Sequence, residues 1–279
     1  MCRLLKVTPQ GYYKYKKSQE KPPKHAKLLA EIKAIQEEDE CNDKYGRERL
    51  KKALESRGIK ISSPTLARIC KKYGLLKKLK RPKGLTRADK EAYKNDDLMQ
   101  NNFQSDAPDK KFVGDITQLP TRDGTLYISC VFDCFDNRCV GLSMADHMRS
   151  ELVEDSLKMM IKGCKMQKAT FHSDRGSQYT SIAFRKLVKG AGIIQSMSHA
   201  KSSCYGNAKC ESMFARFKEE LIYDRYDTKN MDMDDVKSIV FRYFMGYWNN
   251  RRICSAIGGM PPAEKRRRYY KSITADPAA

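Results

Sequence analysis

Three acidic residues have a type and a spacing that suit metal-dependent chemistry on phosphate groups. Between Asp115 and Asp174 there are 58 residues, and 36 residues separate Asp174 from Glu211. Carboxylates from separate elements can hold two Mg²⁺ or Mn²⁺ ions about 3.5–4 Å apart, the arrangement used for phosphoryl transfer. A single aspartate at a strand end is more often a turn former, so the interpretation depends on the set of three.

The predicted elements place each of these carboxylates near the end of a strand or helix. β-branched and aromatic runs separated by turns predict three antiparallel strands over 111–117, 125–135 and 139–145. A helix capped by Ser150 follows, and then a strand over 169–173, a helix over 181–190, a strand over 193–197 and a helix over 207–223. Asp115 lies within the first strand, Asp174 directly follows the fourth, and Glu211 lies in the first turn of the last helix.

This order of elements predicts the fold class. Three antiparallel strands, followed by strands that alternate with helices, describe an α/β fold with a mixed sheet and helices on both faces. We expect a small all-α module before it.

The N-terminal third carries amphipathic patterns typical of a helix-turn-helix. Apolar residues at helical spacing predict helices over 24–39, 47–57 and 64–73, the last capped by Ser62. From Lys71 to Lys83 there are seven basic residues and no acidic ones, which favours contact with DNA phosphates by Lys71, Lys72, Lys77 and Lys78. The alternative is a structural three-helix bundle whose solvated face is basic.

The overall charge points to a polyanionic partner. The chain has 55 Lys and Arg against 34 Asp and Glu, a net charge of +21, and residues 1–105 alone have 27 basic and 13 acidic residues. Its apolar stretches are too short for a membrane-spanning helix, and no secretory signal is evident. We therefore expect a soluble, cytoplasmic protein with no membrane partner and with reduced cysteines.

Three motifs resemble the catalytic core of the retroviral-integrase superfamily, which has an RNase H-like fold. Gly114-Asp115-Ile116-Thr117 matches the first aspartate motif, and the run from His172 to Tyr179 matches the second. Asn207-Ala208 followed by Glu211-Ser212-Met213-Phe214 matches the third, with Lys218 at the basic position seven residues after the glutamate. Within the superfamily, the chain is most similar to second-reading-frame (OrfB-type) proteins of bacterial insertion-sequence transposases.

The resemblance implies a DDE-type transposase that cleaves and transfers DNA strands at the ends of its element. Asp115, Asp174 and Glu211 would be both the catalytic residues and the ligands of two Mg²⁺ or Mn²⁺ ions. The implied partners are duplex DNA of the element ends and the target, further copies of the chain, and an upstream-frame product joined by frameshifting. Together with the basic segments, the resemblance suggests further DNA contacts at Lys218, Arg175, Arg252, Arg266 and Arg267.

Residues beside Asp174 in the second motif are expected to line the site or to pack in the strand. Ser173 and Gln178, together with Arg175, are candidates for lining the site, whereas His172 is interpreted as a packed strand residue rather than a base.

We expect five segments along the chain. They are an N-terminal arm (1–23), the helix-turn-helix-like DNA-binding module (24–80), a linker (81–108), the integrase catalytic core (109–225) and a C-terminal helical extension with a basic tail (226–279).

Two other functions stay open at this point. A DNA-binding regulator without catalysis would leave the three carboxylates unexplained, and an RNase H-like nuclease would cut RNA in hybrids.

Overall fold

The N-terminal part of the chain contains the three predicted helices and a further helix, α1 (Pro9–Gln19), in the segment expected to be an N-terminal arm. A computed structural model describes residues 7–19, 25–76, 97–100, 102–166, 168–198 and 207–275 of the 279. Its first four helices are α1 (Pro9–Gln19), α2 (Ala26–Glu37), α3 (Arg47–Ser56) and α4 (Ser63–Lys72). Helices α2 to α4 share one apolar core, and the Ser62 hydroxyl caps α4 by accepting from the Thr65 N–H at 3.4 Å.

The central sheet is mixed and has five strands. These are β1 (Lys111–Thr121), β2 (Gly124–Asp133), β3 (Cys139–Ala145), β4 (Thr170–Ser173) and β5 (Ile194–Met197), in the spatial order β3-β2-β1-β4-β5. The first three pair in antiparallel fashion, whereas β4 runs parallel to both β1 and β5. The predicted fold class is confirmed.

Helices cover both faces of this sheet. They are α5 (Ser150–Gly163), α6 (Ser177–Thr180), α7 (Ile182–Gly190), α8 (Ala208–Phe217), α9 (Met233–Phe241) and α10 (Pro262–Ala275). On one face Phe112 and Phe171 pack against α5 and α7, and on the other Val113 and Phe132 pack against α8 and α9. The alternating strand pattern therefore supplies two separate cores.

The predicted helix boundaries at α5 and α8 differ from the structure. The N-cap of α5 is Arg149, which has an extended backbone and no side-chain capping bond, so Ser150 is the first helical residue rather than the cap. Helix α8 ends at Phe217 and continues as a π-helical turn, Lys218–Ile222. The described residues contain no helix that is both long and apolar enough to cross a membrane.

Gly114, in β1, allows the ring of Phe171 to approach the sheet closely. A Cβ atom at this position would lie 2.4 Å from the Phe171 Cζ atom, and that ring is itself packed against Tyr179 and Phe184. We expect Gly114→Ala to lower the free energy of unfolding by about 1–3 kcal/mol, measured by urea denaturation. Gly163→Ala is the matched control because its Cβ would meet nothing within 4 Å. Equal stability of the two variants would contradict this packing.

Candidate active site

The parallel register of β1 and β4 brings the two aspartates together. Val113 of β1 is paired with His172 of β4. Asp115 and Asp174 each lie two residues further along, so they occupy neighbouring positions on the same face, and adjacent strands are about 4.8 Å apart. The expected placement of Asp115 within a strand and of Asp174 directly after one is confirmed.

Main-chain hydrogen bonds orient both carboxylates. Asp115 Oδ1 accepts from the Ile116 N–H at 2.8 Å, and Asp174 Oδ1 accepts from the Gly176 N–H at 2.9 Å. Asp115 is buried. Each carboxylate keeps a second oxygen that this bond does not use.

The third carboxylate is carried by α8, and Asn207 anchors that helix beside β1. Asn207 Nδ2 donates to the carbonyl oxygen of Gly114 at 3.1 Å, immediately before Asp115 in the chain. The Oδ1 atom of Asn207 is buried and has no hydrogen-bond partner among the described residues. Glu211 lies in the first turn of α8, as predicted, and its side chain is exposed.

The pKa values of the three carboxyl groups show that they interact. Burial raises the pKa of Asp115 well above its usual range, and the charges of Asp174 and Glu211 raise it further. Burial also raises the pKa of Asp174, and burial followed by the Asp174 charge raises the pKa of Glu211. Burial lowers the pKa of the Lys218 ammonium, although the nearby Asp115 charge opposes that shift. The site thus concentrates negative charge that a cation would neutralise.

The donor atoms of these residues suit a divalent metal ion. All three side chains offer oxygen ligands, the type that Mg²⁺ prefers. In the described part of the chain, however, no three His, Cys, Asp or Glu side chains are arranged closely enough to hold a metal ion. Asp115 and Asp174 occupy neighbouring positions, and the charge of Glu211 acts on Asp115. The donor set of three carboxylates fits the metal.

The other residues assigned to the second motif have well-defined contacts. His172 is fully buried, and its Nδ1 lies 2.9 Å from Ser196 Oγ, so the expected packing role is confirmed. Ser173 is also buried, and its hydroxyl donates to the Asp174 carbonyl. Arg175 Nε donates to the Ser198 carbonyl at 2.6 Å, and Gln178 Nε2 donates to the Met148 carbonyl at 2.9 Å. Contact of Arg175 with DNA stays a prediction.

The basic residues predicted to bind DNA fall into three groups. Lys71 and Lys72 are exposed in the last turn of α4, and Arg267 is exposed and paired with Glu264. Lys77 and Lys78 lie outside the described residues. The remaining four, Arg175, Lys218, Arg252 and Arg266, are buried.

Arg252 is not placed to contact DNA, which corrects its sequence assignment. Its guanidinium donates to both carboxylate oxygens of Glu220, each at 2.8 Å, and stacks over the Trp248 ring. Arg49 of α3 donates to the same carboxylate at 2.7 Å, and the Tyr243 hydroxyl does so at 2.8 Å. Glu220 therefore joins the N-terminal helices to the segment that follows α8.

Arg266 requires the same correction. Its guanidinium contacts Asp136 at 2.7 Å, Asp109 at 3.1 Å and Asp133 at 2.5 Å. Asp133 and Asp136 lie at the end of β2 and in the turn after it, so the arginine fastens α10 to the sheet. Its charge is neutralised inside the protein, and we reassign Arg266 as structural.

Sequence reasoning overlooked two residues that organise this region. Glu220 appears in the sequence as one of two adjacent glutamates, and nothing local distinguishes the buried one. Asn207 belongs to the third motif of the family resemblance, but its bond to Gly114 depends on a contact 93 residues away in the chain. The only available signal was the position of Asn207 four residues before Glu211, one helical turn.

Comparisons with known proteins agree with this arrangement. A family model described as integrase core domain matches residues 105–203. The transposase for insertion sequence element IS904 of Lactococcus lactis is 32% identical over 240 residues, covering 85% of this chain and 92% of its own. The transposase for insertion sequence element IS629 of Shigella sonnei is 29% identical over 286 residues, covering 100% and 94%.

A solved structure shares the fold at low sequence identity. A chain of the simian T-cell lymphotropic virus intasome, determined by cryo-electron microscopy in complex with the PP2A regulatory subunit B56 gamma, superposes with a TM-score of 0.50. The match covers 79% of this chain and 74% of the viral chain at 14% identity.

Proposed function

We propose that this chain, which belongs to the insertion-sequence transposases of the retroviral-integrase superfamily, cleaves and joins DNA strands at Asp115, Asp174 and Glu211. It is a transposase that acts in DNA transposition. The observation that carries the catalytic assignment is the parallel register of β1 and β4, which makes the two aspartates neighbours, while Asn207 fixes the helix of Glu211 beside them.

The proposed reaction is a direct displacement at phosphorus. Two divalent cations, Mg²⁺ or Mn²⁺, held by the three carboxylates would activate the attacking oxygen and stabilise the leaving oxygen. Water or a DNA 3′-OH forms the new P–O bond while the bond to the departing 3′ oxygen breaks, so no covalent protein intermediate is required. The chain itself positions the strand and its own carboxylates, which is the main contribution of protein to such a transfer.

A nicking and joining assay tests this proposal. A labelled duplex with the terminal sequence of the element is incubated with the chain and Mg²⁺ or Mn²⁺, with EDTA as the control. We expect nicked and joined products only when the metal is present. Binding without nicking in either metal would instead favour a non-catalytic regulator, and cleavage of RNA in a hybrid, with duplex DNA left intact, would favour the nuclease.

Assembly on DNA is part of the same proposal. Joining two ends requires at least two copies of the chain as a matter of geometry, and oligomers on DNA are expected. The helical module would hold DNA through the exposed Lys71 and Lys72 on α4. An upstream-frame product joined by frameshifting remains a proposed partner, which expression of the overlapping frame would test.

Lys218 is proposed to hold a DNA phosphate beside the carboxylates. It lies about two helical turns after Glu211, on the same face of the helix. Its ammonium interacts with Asp115. We expect Lys218→Gln to weaken binding of element-end DNA and to reduce the slope of log K against log salt concentration by about one. Fluorescence anisotropy measures both quantities, with Lys237→Gln as a control for loss of a lysine paired on the surface of α9. An unchanged slope would assign Lys218 a purely structural role.

A further inference from the structure

A cavity of about 990 Å³ lies beside α8 and does not include the three carboxylates. Its walls come from α3 and α8, from the segment before β1, from the turn after β2, from residues 248–257 and from the start of α10. Helix α8 contributes Lys209, Ser212 and Arg216, which share one helical face. Glu211 is on a different side of the same helix, since each residue turns it by about 100°. The cavity is thus adjacent to the candidate active site but separate from it.

The charge of the cavity is strongly one-sided. The described residues that line it include five cations and no Asp or Glu: Arg49, Lys209, Arg216, Arg252 and Lys265. Two of these, Arg49 and Arg252, are neutralised by Glu220. The other three have no ion-pair partner among the described residues. They are the half-buried Lys209 and Lys265 and the exposed Arg216.

The two lysines are held in place by uncharged groups. Lys209 Nζ donates to the carbonyl oxygens of Cys134 at 2.8 Å and Phe103 at 3.1 Å. Lys265 Nζ donates to the carbonyl oxygen of Phe135 and lies 4.2 Å from the centre of its ring. Carbonyl oxygens orient an ammonium group but leave its charge uncompensated. An ammonium has three N–H donors, so Lys265 keeps donors that this carbonyl does not use.

The lysines are also close enough to repel each other. Burial lowers the pKa of Lys265, and the positive charge of Lys209 lowers it further, although Asp136 acts in the opposite direction. The Asp136 carboxylate already pairs with Arg266. Two half-buried ammonium groups in one cavity, which no described Asp or Glu lines, are stabilised when an anion binds.

We propose that this cavity binds a phosphate group between Lys209 and Lys265, with Arg216 as a third contact. The group is either a phosphodiester of the DNA backbone or a free phosphate ligand. The identification of the phosphate group as part of DNA rests on the proposed function, whereas the binding of a phosphate group as such does not. If the group is a DNA phosphodiester, the strand runs along the side of α8 that carries Lys209 and Arg216 rather than the side that carries Glu211.

Lysine footprinting on the full chain tests the site directly. The protein is treated with an acetylating reagent alone, with duplex DNA or with inorganic pyrophosphate, and modification of each lysine is measured by mass spectrometry. We expect DNA to protect Lys209 and Lys265, whereas Lys186, exposed on α7, serves as the comparison. Protection by pyrophosphate but not by DNA supports the site with a free phosphate as its ligand. Unchanged modification of both lysines with either ligand overturns the proposal.

A pair of double variants provides the matched control. The double variant Lys209→Gln with Lys265→Gln is expected to reduce the slope of log K against log salt concentration for duplex binding by about one to two. The loss of one or two phosphate contacts predicts this change. Lys158→Gln with Lys186→Gln removes the same charge from the exposed surface. Equal slopes for the two double variants would overturn the DNA backbone as the source of the bound phosphate. Nicking without lysine protection would leave the proposed function intact, and protection without nicking would leave this site intact.

Discussion

Replacing Asp174 with asparagine is expected to abolish metal-dependent strand cleavage and strand transfer while leaving DNA binding nearly intact. The amide has the size of the carboxylate, and its oxygen can still accept from the Gly176 N–H. It lacks the negative charge that a divalent ion requires. We expect a loss of at least about 10³-fold in rate, equivalent to about 4 kcal/mol of transition-state stabilisation.

The control for this experiment is an aspartate away from the site. Asp155 is exposed on α5 and pairs with Lys158, so Asp155→Asn should retain both DNA binding and strand transfer. Activity is measured with labelled element ends, and binding is measured by anisotropy in parallel. Equal strand transfer by Asp174→Asn and the wild type would rule out the assignment of Asp174.

Replacing Arg252 with methionine is expected to lower the free energy of unfolding by about 3–5 kcal/mol. Methionine keeps much of the side-chain volume but leaves the buried Glu220 carboxylate without its bidentate partner. Urea denaturation measures the loss. Arg251→Gln is a close control because the neighbouring Arg251 is exposed and pairs with Asp39, a contact worth about 0–1 kcal/mol.

The pH dependence of this destabilisation has a definite sign. Burial alone raises the pKa of Glu220, but Arg252 and Arg49 outweigh it and hold the pKa at about 2, below its ordinary value of 4.5. The stabilisation that the ionised Glu220 carboxylate gives to the folded state is therefore complete above pH 4.5, and it is lost as the pH falls towards 2. The difference between Arg252→Met and the wild type should be largest at neutral pH and shrink below pH 4.5. If Arg252→Met were as stable as the wild type but bound DNA more weakly, the structural role of Arg252 would be contradicted, and its assignment as a DNA contact would be reinstated.

The strands and the positions of the carboxylates could be predicted because they depend on local patterns. Alternating β-branched and aromatic residues define β1 to β3, and tight turns join them. Asp174 follows its strand directly, and Glu211 lies four residues after Asn207, so each could be placed without knowledge of the tertiary structure. The proximity of Asp115 and Asp174 was an expectation of the family resemblance, and the parallel pairing of β1 with β4 now gives it a geometric basis.

The partners of the basic residues could not be predicted, because they lie far away in the chain. Arg252 reaches Glu220 across 32 residues, and Arg266 reaches Asp133 across 133. A run such as Lys265-Arg266-Arg267-Arg268 looks uniformly basic in the sequence. In the folded chain Arg266 is buried in an ion cluster, Arg267 and Arg268 are exposed, and Lys265 faces a cavity. The charge pattern of a sequence therefore indicates a polyanionic partner for the whole protein, but it does not show which basic residues contact that partner.

We expect Asp115, Asp174 and Glu211 jointly to hold two divalent ions when the chain is bound to DNA. The most direct test is the number of Mn²⁺ ions bound by the chain with element-end DNA, measured by electron paramagnetic resonance for the wild type and for Asp115→Asn. We predict two bound ions per active site in the wild type and a clear loss of binding in the variant. The same number of ions bound with the same affinity in both proteins would contradict the claim.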